Sequence, residues 1–205
     1  MKAQPLYPTL LAAGAALLGF AGCSFLKPSG VEPRSFVLTP LPAADAPPGR
    51  AATSLGVGAV KVPSYLLRHS MAVRRGTNEV AYLEAATWAG RLDLGLQRVL
   101  AANLATLLPT DRVHLSAWEP SDVSVEVFVT VEQFDVDEKG AGVLTAWWRL
   151  VSPVGEKELK TGLFHRTQPG PVPRSDPQGA TATMSALVAD LSRELTEAIK
   201  AAAPR

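Results

Sequence analysis

The sequence of 205 residues is electrically almost neutral, with 20 Lys and Arg against 19 Asp and Glu and a formal net charge of +1. The basic residues form no block. This argues against a nucleic-acid-binding protein and against electrostatic docking on anionic lipid, since both need clustered positive charge. A single cysteine leaves no disulfide within the chain, so packing alone must hold the fold, and the length suits one domain with its own core.

The first residues have the pattern of an export signal. Lys2 precedes an apolar run over residues 10–20, which is shorter than the roughly 20 residues that a membrane-spanning helix needs, and small residues follow it. This pattern predicts a cleaved signal peptide over residues 1–22. The Phe-Ala-Gly-Cys sequence at 20–23 resembles the lipobox of bacterial lipoproteins, in which the cysteine carries a diacylglycerol and becomes the first mature residue, so Cys23 is the expected lipid-attachment residue. An ordinary cleaved signal with an incidental cysteine is the alternative.

The next segment is typical of a tether. Residues 23–34 contain prolines and a glycine without apolar periodicity, and we expect one domain over residues 35–203. A turn is predicted at 64–68, and Gly-Thr-Asn at 76–78 predicts a hairpin connection. Runs of β-branched and aromatic residues predict short strands in the first half of the domain, at 35–39, 55–62, 71–75 and 79–83.

Two stretches have helical periodicity. Apolar residues recur on one face across residues 91–108, and Pro109 ends that stretch. Trp88 comes just before it, and we expect its side chain to pack on the core. A second apolar stripe runs from Met184 to Ile199, after a helix entry at residues 176–177. Each helix has one apolar face and therefore needs a second layer to cover it.

The clearest strand pattern begins at Val123, from which valine alternates with mostly polar residues through Glu132. Glycines at 140 and 142 predict a turn before a returning strand at 144–151. A third strand is expected at 158–165, which completes an antiparallel meander.

These elements together predict the fold class. The adjacent Trp147 and Trp148 must point to opposite faces of their strand, so one belongs in the core and the other is exposed or covered. Strands and helices that each have one apolar face predict an α+β (or α/β) sandwich: a mixed, largely antiparallel sheet with two main amphipathic helices packed on one face.

No catalytic or metal-binding motif is visible. The three histidines, His69, His114 and His165, lie far apart, there is no HExxH sequence and no second thiol, and no serine lies in a GxSxG turn. We therefore expect no catalytic residue, no metal ion and no cofactor.

Two charged groups of residues leave alternatives open. The acidic cluster Asp135, Asp137 and Glu138 lacks the spacing of a calcium-binding loop, and a polar hairpin turn is its expected origin. Three arginines near the first hairpin can hold a phosphate or an acidic partner, or can simply solvate the hairpin: Arg68, Arg74 and Arg75.

The order of these segments resembles the ABC-type transport auxiliary lipoproteins, the PqiC-like family. The resemblance covers about residues 35–199. It rests on the first strand with its Pro40, the Gly-rich strand and the turn that follows it, Trp88 before the first helix, and the strand at 123–134 with Leu-Thr-Ala-Trp at 144–147. The most specific part is the turn Pro63-x-Tyr65-Leu66-x-Arg68.

The resemblance implies a non-enzymatic lipoprotein that acts with an MCE-domain protein and an ABC transporter or permease in intermembrane lipid transport, and so in membrane integrity. It implies attachment to the bacterial outer membrane, on its periplasmic face, through Cys23. The expected role is to dock the MCE assembly at that membrane, and a homo-oligomer is left open. One alternative is a lipid-binding carrier with an internal cavity, and another is a lipoprotein enzyme with a polar pocket.

The resemblance carries over no catalytic residue, so the expected site is a protein interface. Protein interfaces favour aromatic and arginine side chains. The turn after the Gly-rich strand, with the hairpin and tryptophan that follow, is therefore the candidate partner or self-association surface: Tyr65, Leu66, Arg68, Arg74, Arg75 and Trp88.

Overall fold

The fold is built on one sheet of eight strands. The computed structural model describes residues 32–43, 53–115 and 117–202. The predicted signal peptide, Cys23 and the tether as far as residue 31 lie outside the described residues. The strands are β1 (Arg34–Phe36), β2 (Leu55–Val57), β3 (Ser70–Arg75), β4 (Glu79–Trp88), β5 (Val113–His114), β6 (Val125–Asp137), β7 (Gly142–Ser152) and β8 (Lys157–Gln168). The helices are α1 (Leu92–Leu107) and α2 (Pro177–Ala202), with short 3₁₀ helices η1 (Ser64–Leu67) and η2 (Val154–Glu156).

The long strand β6 organises the sheet. On one edge it pairs antiparallel with β7, which pairs antiparallel with β8. On the other edge β2 runs parallel to the start of β6, Lys61 bridges Thr130, and β3 runs parallel to the end of β6. β2, Lys61 and β3 therefore follow one another along the same edge of β6 as an interrupted parallel path. The 3₁₀ helix η1 is inserted in this path between Lys61 and β3.

Shorter strands extend the sheet beyond this path. β4 pairs antiparallel with β3, β1 lies parallel beside β4, and β5 lies parallel beside β2. β1 ends at Phe36 because its partner β4 ends at Trp88, opposite Phe36. The strand predicted at 35–39 is therefore shorter than expected, and the one predicted at 55–62 keeps regular pairing only over β2.

The alternation of buried residues along β6 changes phase at a bulge. Its odd-numbered valines are buried as far as Val131, and the pairing register with β7 then shifts between Val131 and Gln133. Beyond this bulge Phe134 and Val136 continue the core side of the strand. One extra residue in a strand turns the side chains that follow to the opposite faces. Asp135 consequently lies on the face opposite the core.

The two helices pack on each other and on the sheet. α2 contacts β6, β7 and β8, and α1 contacts β2 and β5. Buried polar groups of α1 are paired: the Gln97 side chain donates to the carbonyls of Val57 and Leu115 at 2.9 and 2.8 Å, and Asn103 donates to the Ser192 hydroxyl at 3.1 Å. In the part of the chain that the structure describes, no helix combines the length and the apolar character that a membrane crossing requires.

The α+β fold predicted from the sequence is confirmed, with its mixed, mostly antiparallel sheet and two main helices. The hairpin of β3 and β4 and the meander of β6, β7 and β8 are present. Trp148 is buried and Trp147 is exposed, and Trp88 packs in the core. One expectation is wrong: Asp135 belongs to β6 and is buried, rather than lying in a polar turn.

Candidate partner-binding surface

The 3₁₀ helix η1 presents a small surface beside the sheet. Leu66 points into the core and is buried, whereas Leu67 is 49 % exposed and Arg68, which follows the helix, is exposed. Tyr65 is half-buried. We call Ser64, Tyr65, Leu67 and Arg68 the η1 surface.

A buried carboxylate fastens η1 to the sheet. Asp135 is 1 % exposed, and its Oδ2 accepts hydrogen bonds from the Tyr65 hydroxyl at 2.8 Å and from Arg74 Nη2 at 2.7 Å. Arg74 Nε lies 3.2 Å from each carboxylate oxygen, and Gln133 Nε2 donates to Oδ1 at 2.9 Å. A buried charge is tolerated when it is both paired and hydrogen-bonded, and this carboxylate meets both conditions.

The electrostatics of this Asp135 cluster favour one protonation state. Burial raises the pKa of Tyr65 to about 12, and the charge and the hydrogen bond of Asp135 add to the rise. The hydrogen bonds that Arg74 donates to Asp135 raise the pKa of its guanidinium. At neutral pH the cluster therefore holds a neutral phenol that donates to the carboxylate and a charged guanidinium paired with it.

Alkaline pH should weaken the contribution of Tyr65 to stability. An unfolded tyrosine ionises near pH ~10, whereas Tyr65 in the folded protein keeps its proton to about pH 12. The folded state binds more protons in that window, so the contribution is complete below about pH 10 and is lost as the pH rises toward about 12. Urea unfolding of the unchanged protein and of Tyr65→Phe, which cannot ionise there, should show the stability gap between them narrowing over this window. A gap that stays constant would contradict the assignment.

A second tyrosine supports η1 from the neighbouring strand. The Tyr82 hydroxyl donates to the backbone carbonyl of Tyr65 at 3.2 Å, and the Arg68 guanidinium carbon lies 4.6 Å from the centre of the Tyr82 ring. Arg68 is thus held over an aromatic face, a favourable arrangement for a cation.

The structure brings together some of the predicted interface residues and separates others. Tyr65, Arg68 and Arg74 meet around η1. Arg75 lies at the hairpin turn, where it pairs with Glu79 at 3.4 Å and both side chains are exposed. Leu66 and Trp88 are buried, so their side chains pack the core and leave little area for a partner.

Five residues of this site were not among the predicted interface residues: Ser64, Leu67, Tyr82, Gln133 and Asp135. Of these, Asp135 was noted in the sequence only as part of an acidic cluster expected in a polar turn. The available signal for Asp135 was an acidic residue between two apolar residues of the same strand, Phe134 and Val136. Leu67 was visible as an apolar residue between Leu66 and Arg68, but its exposure depends on the 3₁₀ turn that directs Leu66 inward.

Charged side chains in a cleft elsewhere are engaged in structural contacts. A cleft of about 600 Å³ lies between β8 and α2. In it the Trp148 indole donates to Glu194 at 2.8 Å, and Arg193 pairs with Asp190 at 2.7 Å. Across the described ranges, no three His, Cys, Asp or Glu side chains are grouped in a way that could hold a metal ion.

Comparisons with known proteins define the family. A solved structure of an uncharacterised protein, 22% identical, superposes with a TM-score of 0.66 over 82% of this chain and 99% of its own. A Xanthomonas campestris protein of the family DUF330, 16% identical, superposes with a TM-score of 0.60 over 81% of this chain and 91% of its own. These likenesses show the fold alone, and a search of curated proteins finds no match. The family model for the ABC-type transport auxiliary lipoprotein component matches residues 36–196. The chain therefore belongs to the ABC-type transport auxiliary lipoprotein family.

Proposed function

We propose that this protein is a lipid-anchored periplasmic component of an intermembrane lipid transport system, where it docks an MCE-domain assembly and its ABC transporter at the outer membrane. The observation that carries the proposal is the family match over residues 36–196, since the family is described as an auxiliary component of ABC-type transport. An auxiliary role fits a protein that is not an enzyme. The acyl chains of Cys23 anchor the domain, and the MCE-domain protein is its partner.

We place the docking contact on the η1 surface. Asp135 and Tyr82 are hydrogen-bonded to Tyr65 of η1. Arg74 and Gln133 in turn hold the Asp135 carboxylate in place. A surface that is already rigid loses less conformational entropy when a partner binds. It offers Leu67 and Arg68, an exposed apolar side chain beside a guanidinium stacked on an aromatic ring.

Capture of the MCE-domain partner tests this placement. We expect the double variant Leu67→Ser/Arg68→Ala to bind the MCE-domain protein of the same bacterium at least roughly tenfold more weakly, because loss of an interface anchor typically costs more than 1 kcal/mol. Both side chains lie outside the Asp135 cluster, so the circular dichroism spectrum should not change. Binding is measured by pull-down and by surface plasmon resonance with the purified, detergent-solubilised lipoprotein.

A matched control lies on the exposed face of the sheet. Leu163 is 49 % exposed, as Leu67 is, and the Arg149 guanidinium lies 4.5 Å from the centre of the Phe128 ring, much as Arg68 lies over Tyr82. The variant Leu163→Ser/Arg149→Ala removes the same kinds of groups and should bind the partner normally. Loss of binding in this control with normal binding in the η1 variant would move the docking surface to the sheet face.

The carrier alternative needs room inside the fold for a lipid. A cavity between the sheet and both helices, bordered by Leu96, Leu144 and Leu191, has a volume of about 10 Å³. That is roughly the space of one water molecule. The side chains of the two layers thus close on each other at this position, and the docking role is the better supported of the two.

A further inference from the structure

An apolar groove opens at the surface where the first helix begins. It has a volume of about 390 Å³ and lies between the residues that follow β1 and the first turns of α1. Val37 is 64 % exposed and Leu94 is 39 % exposed, so apolar side chains face solvent here. The main apolar residues of its wall are Phe36, Val37, Leu38, Trp88, Leu92 and Leu94.

Two glycines line this groove. Gly90 and Gly95 line it, and a Cβ atom added to either would meet no other atom within 4 Å. Gly95 lies inside α1, where glycine is a poor helix former. A side chain at position 95 would therefore enter the open space of the groove without disturbing the backbone.

Two arginines line the groove. Arg91 is paired with Asp93 at 2.6 Å. Arg98 also lines the groove and is exposed, and among the described residues it has no hydrogen-bond or ion-pair partner. An apolar groove with a free guanidinium at its edge complements a molecule with a hydrocarbon chain and an anionic head.

The position of the groove in the chain limits its distance from the membrane. Phe36 follows Cys23 by only thirteen residues. A fully extended segment of that length spans at most about 45 Å. With Cys23 anchored in the bilayer, the groove stays within that reach of membrane lipid.

We propose that this groove binds a phospholipid taken from the anchoring membrane, with one acyl chain along the apolar wall and the phosphate at Arg98. The volume lies within the range of small-molecule sites, which are mostly apolar with a few polar groups. The inference rests on the proposed function only for the membrane anchor. It adds a lipid contact to a protein in which the described cavity between the sheet and the helices offers an acyl chain little space.

Photo-crosslinking tests the groove directly. The acylated protein is reconstituted in vesicles of phosphatidylethanolamine and phosphatidylglycerol that contain a phospholipid with a photoreactive group on its acyl chain, and adducts are mapped by mass spectrometry. Adducts are expected on peptides that contain Val37 and Leu94. Gly95→Leu should fill the groove and abolish most of these adducts, and Arg98→Ala should lower them about tenfold, the typical effect of losing a charge-assisted hydrogen bond.

Matched variants lie on α2. Ala182→Leu adds the same side chain to an exposed helix position, and Arg193→Ala removes an exposed arginine, so both should give adducts at the level of the unchanged protein. Unchanged adducts in Gly95→Leu, with normal circular dichroism, would overturn the proposal. A parallel experiment places a photoreactive amino acid at position 94. Crosslinks from it to residues 24–31 or to a second copy, in place of lipid, would also overturn the proposal.

The lipid-binding groove and the docking function are tested by different measurements, and either proposal can be rejected without the other. Gly95→Leu should leave capture of the MCE-domain protein unchanged, because the groove and the η1 surface are composed of different residues. Lipid adducts without partner capture would reject the docking function and keep the groove.

Discussion

Replacing Cys23 with alanine is expected to release the protein from the membrane and leave the domain folded. Beyond residue 22 the chain has 19 basic and 19 acidic side chains and no basic block, so its charge cannot hold it on a bilayer. A single acyl chain binds only marginally, so stable anchoring needs the two or three chains of a bacterial lipoprotein. With the chains gone, nearly all of the protein should move to the soluble fraction.

The Cys23→Ala variant needs a different export signal. Cys23→Ala also removes the residue at which the predicted lipoprotein signal would be cut, so the variant is exported behind a conventional cleavable signal peptide in place of residues 1–22. Washed membranes and the periplasmic fraction are compared by immunoblot, and circular dichroism of the released protein reports its fold. The unchanged protein should incorporate an alkyne-labelled fatty acid, and the variant should not. Retention of the unlabelled variant in washed membranes would mean that the protein surface holds it there.

Replacing Arg74 with methionine is expected to lower the free energy of unfolding by up to about 3–5 kcal/mol, the cost of leaving a buried carboxylate without its charged partner. The Asp135 carboxylate is 1 % exposed and would keep only neutral donors, Tyr65 and Gln133. Methionine preserves most of the side-chain volume, so the loss reports charge rather than packing. Domains of this kind are stable by about 5–15 kcal/mol in total. Urea unfolding followed by tryptophan fluorescence measures the change.

The neighbouring Arg75 is a matched control. It pairs with Glu79 at 3.4 Å, and both side chains are exposed, so Arg75→Met should cost no more than about 1 kcal/mol. Adding Asp135→Asn to the Arg74→Met variant removes the buried charge and should recover part of the lost stability, which a double-mutant cycle quantifies. Equal losses in Arg74→Met and Arg75→Met would show that the Asp135 cluster does not depend on its charge pair.

The Asp135 cluster links the fold to the proposed docking role. It connects η1 to β3, which follows the interruption in the parallel path, and to β6, the strand along which that path runs. A variant that loosens the cluster should therefore weaken partner capture through the position of η1, even though Asp135 itself offers a partner almost no surface. Variants of the Asp135 cluster therefore test the residues that position the η1 surface, whereas variants of Leu67 and Arg68 test the residues that form it.

The local elements and the family could be predicted from the sequence alone. Helical spacing in α1 and α2, the turn residues of the first hairpin and the valine alternation of β6 are properties of neighbouring residues, and the structure confirms them. The order of these segments was enough to indicate the auxiliary lipoprotein family. Cys23 as the lipid-attachment residue is likewise a sequence prediction, and it lies outside the described residues.

Only the tertiary structure decided the composition of the candidate site. The bulge after Val131 reverses the faces of the residues beyond it, and the parallel pairing of β3 with β6 brings Arg74 to Asp135 across 61 residues of sequence. The exposure of Leu67 and the groove beside Gly95 likewise depend on which side chains pack next to them. Local periodicity records which face of an element is apolar. The partners of a polar group depend on strand register and on packing between distant segments, and the sequence pattern does not contain that information.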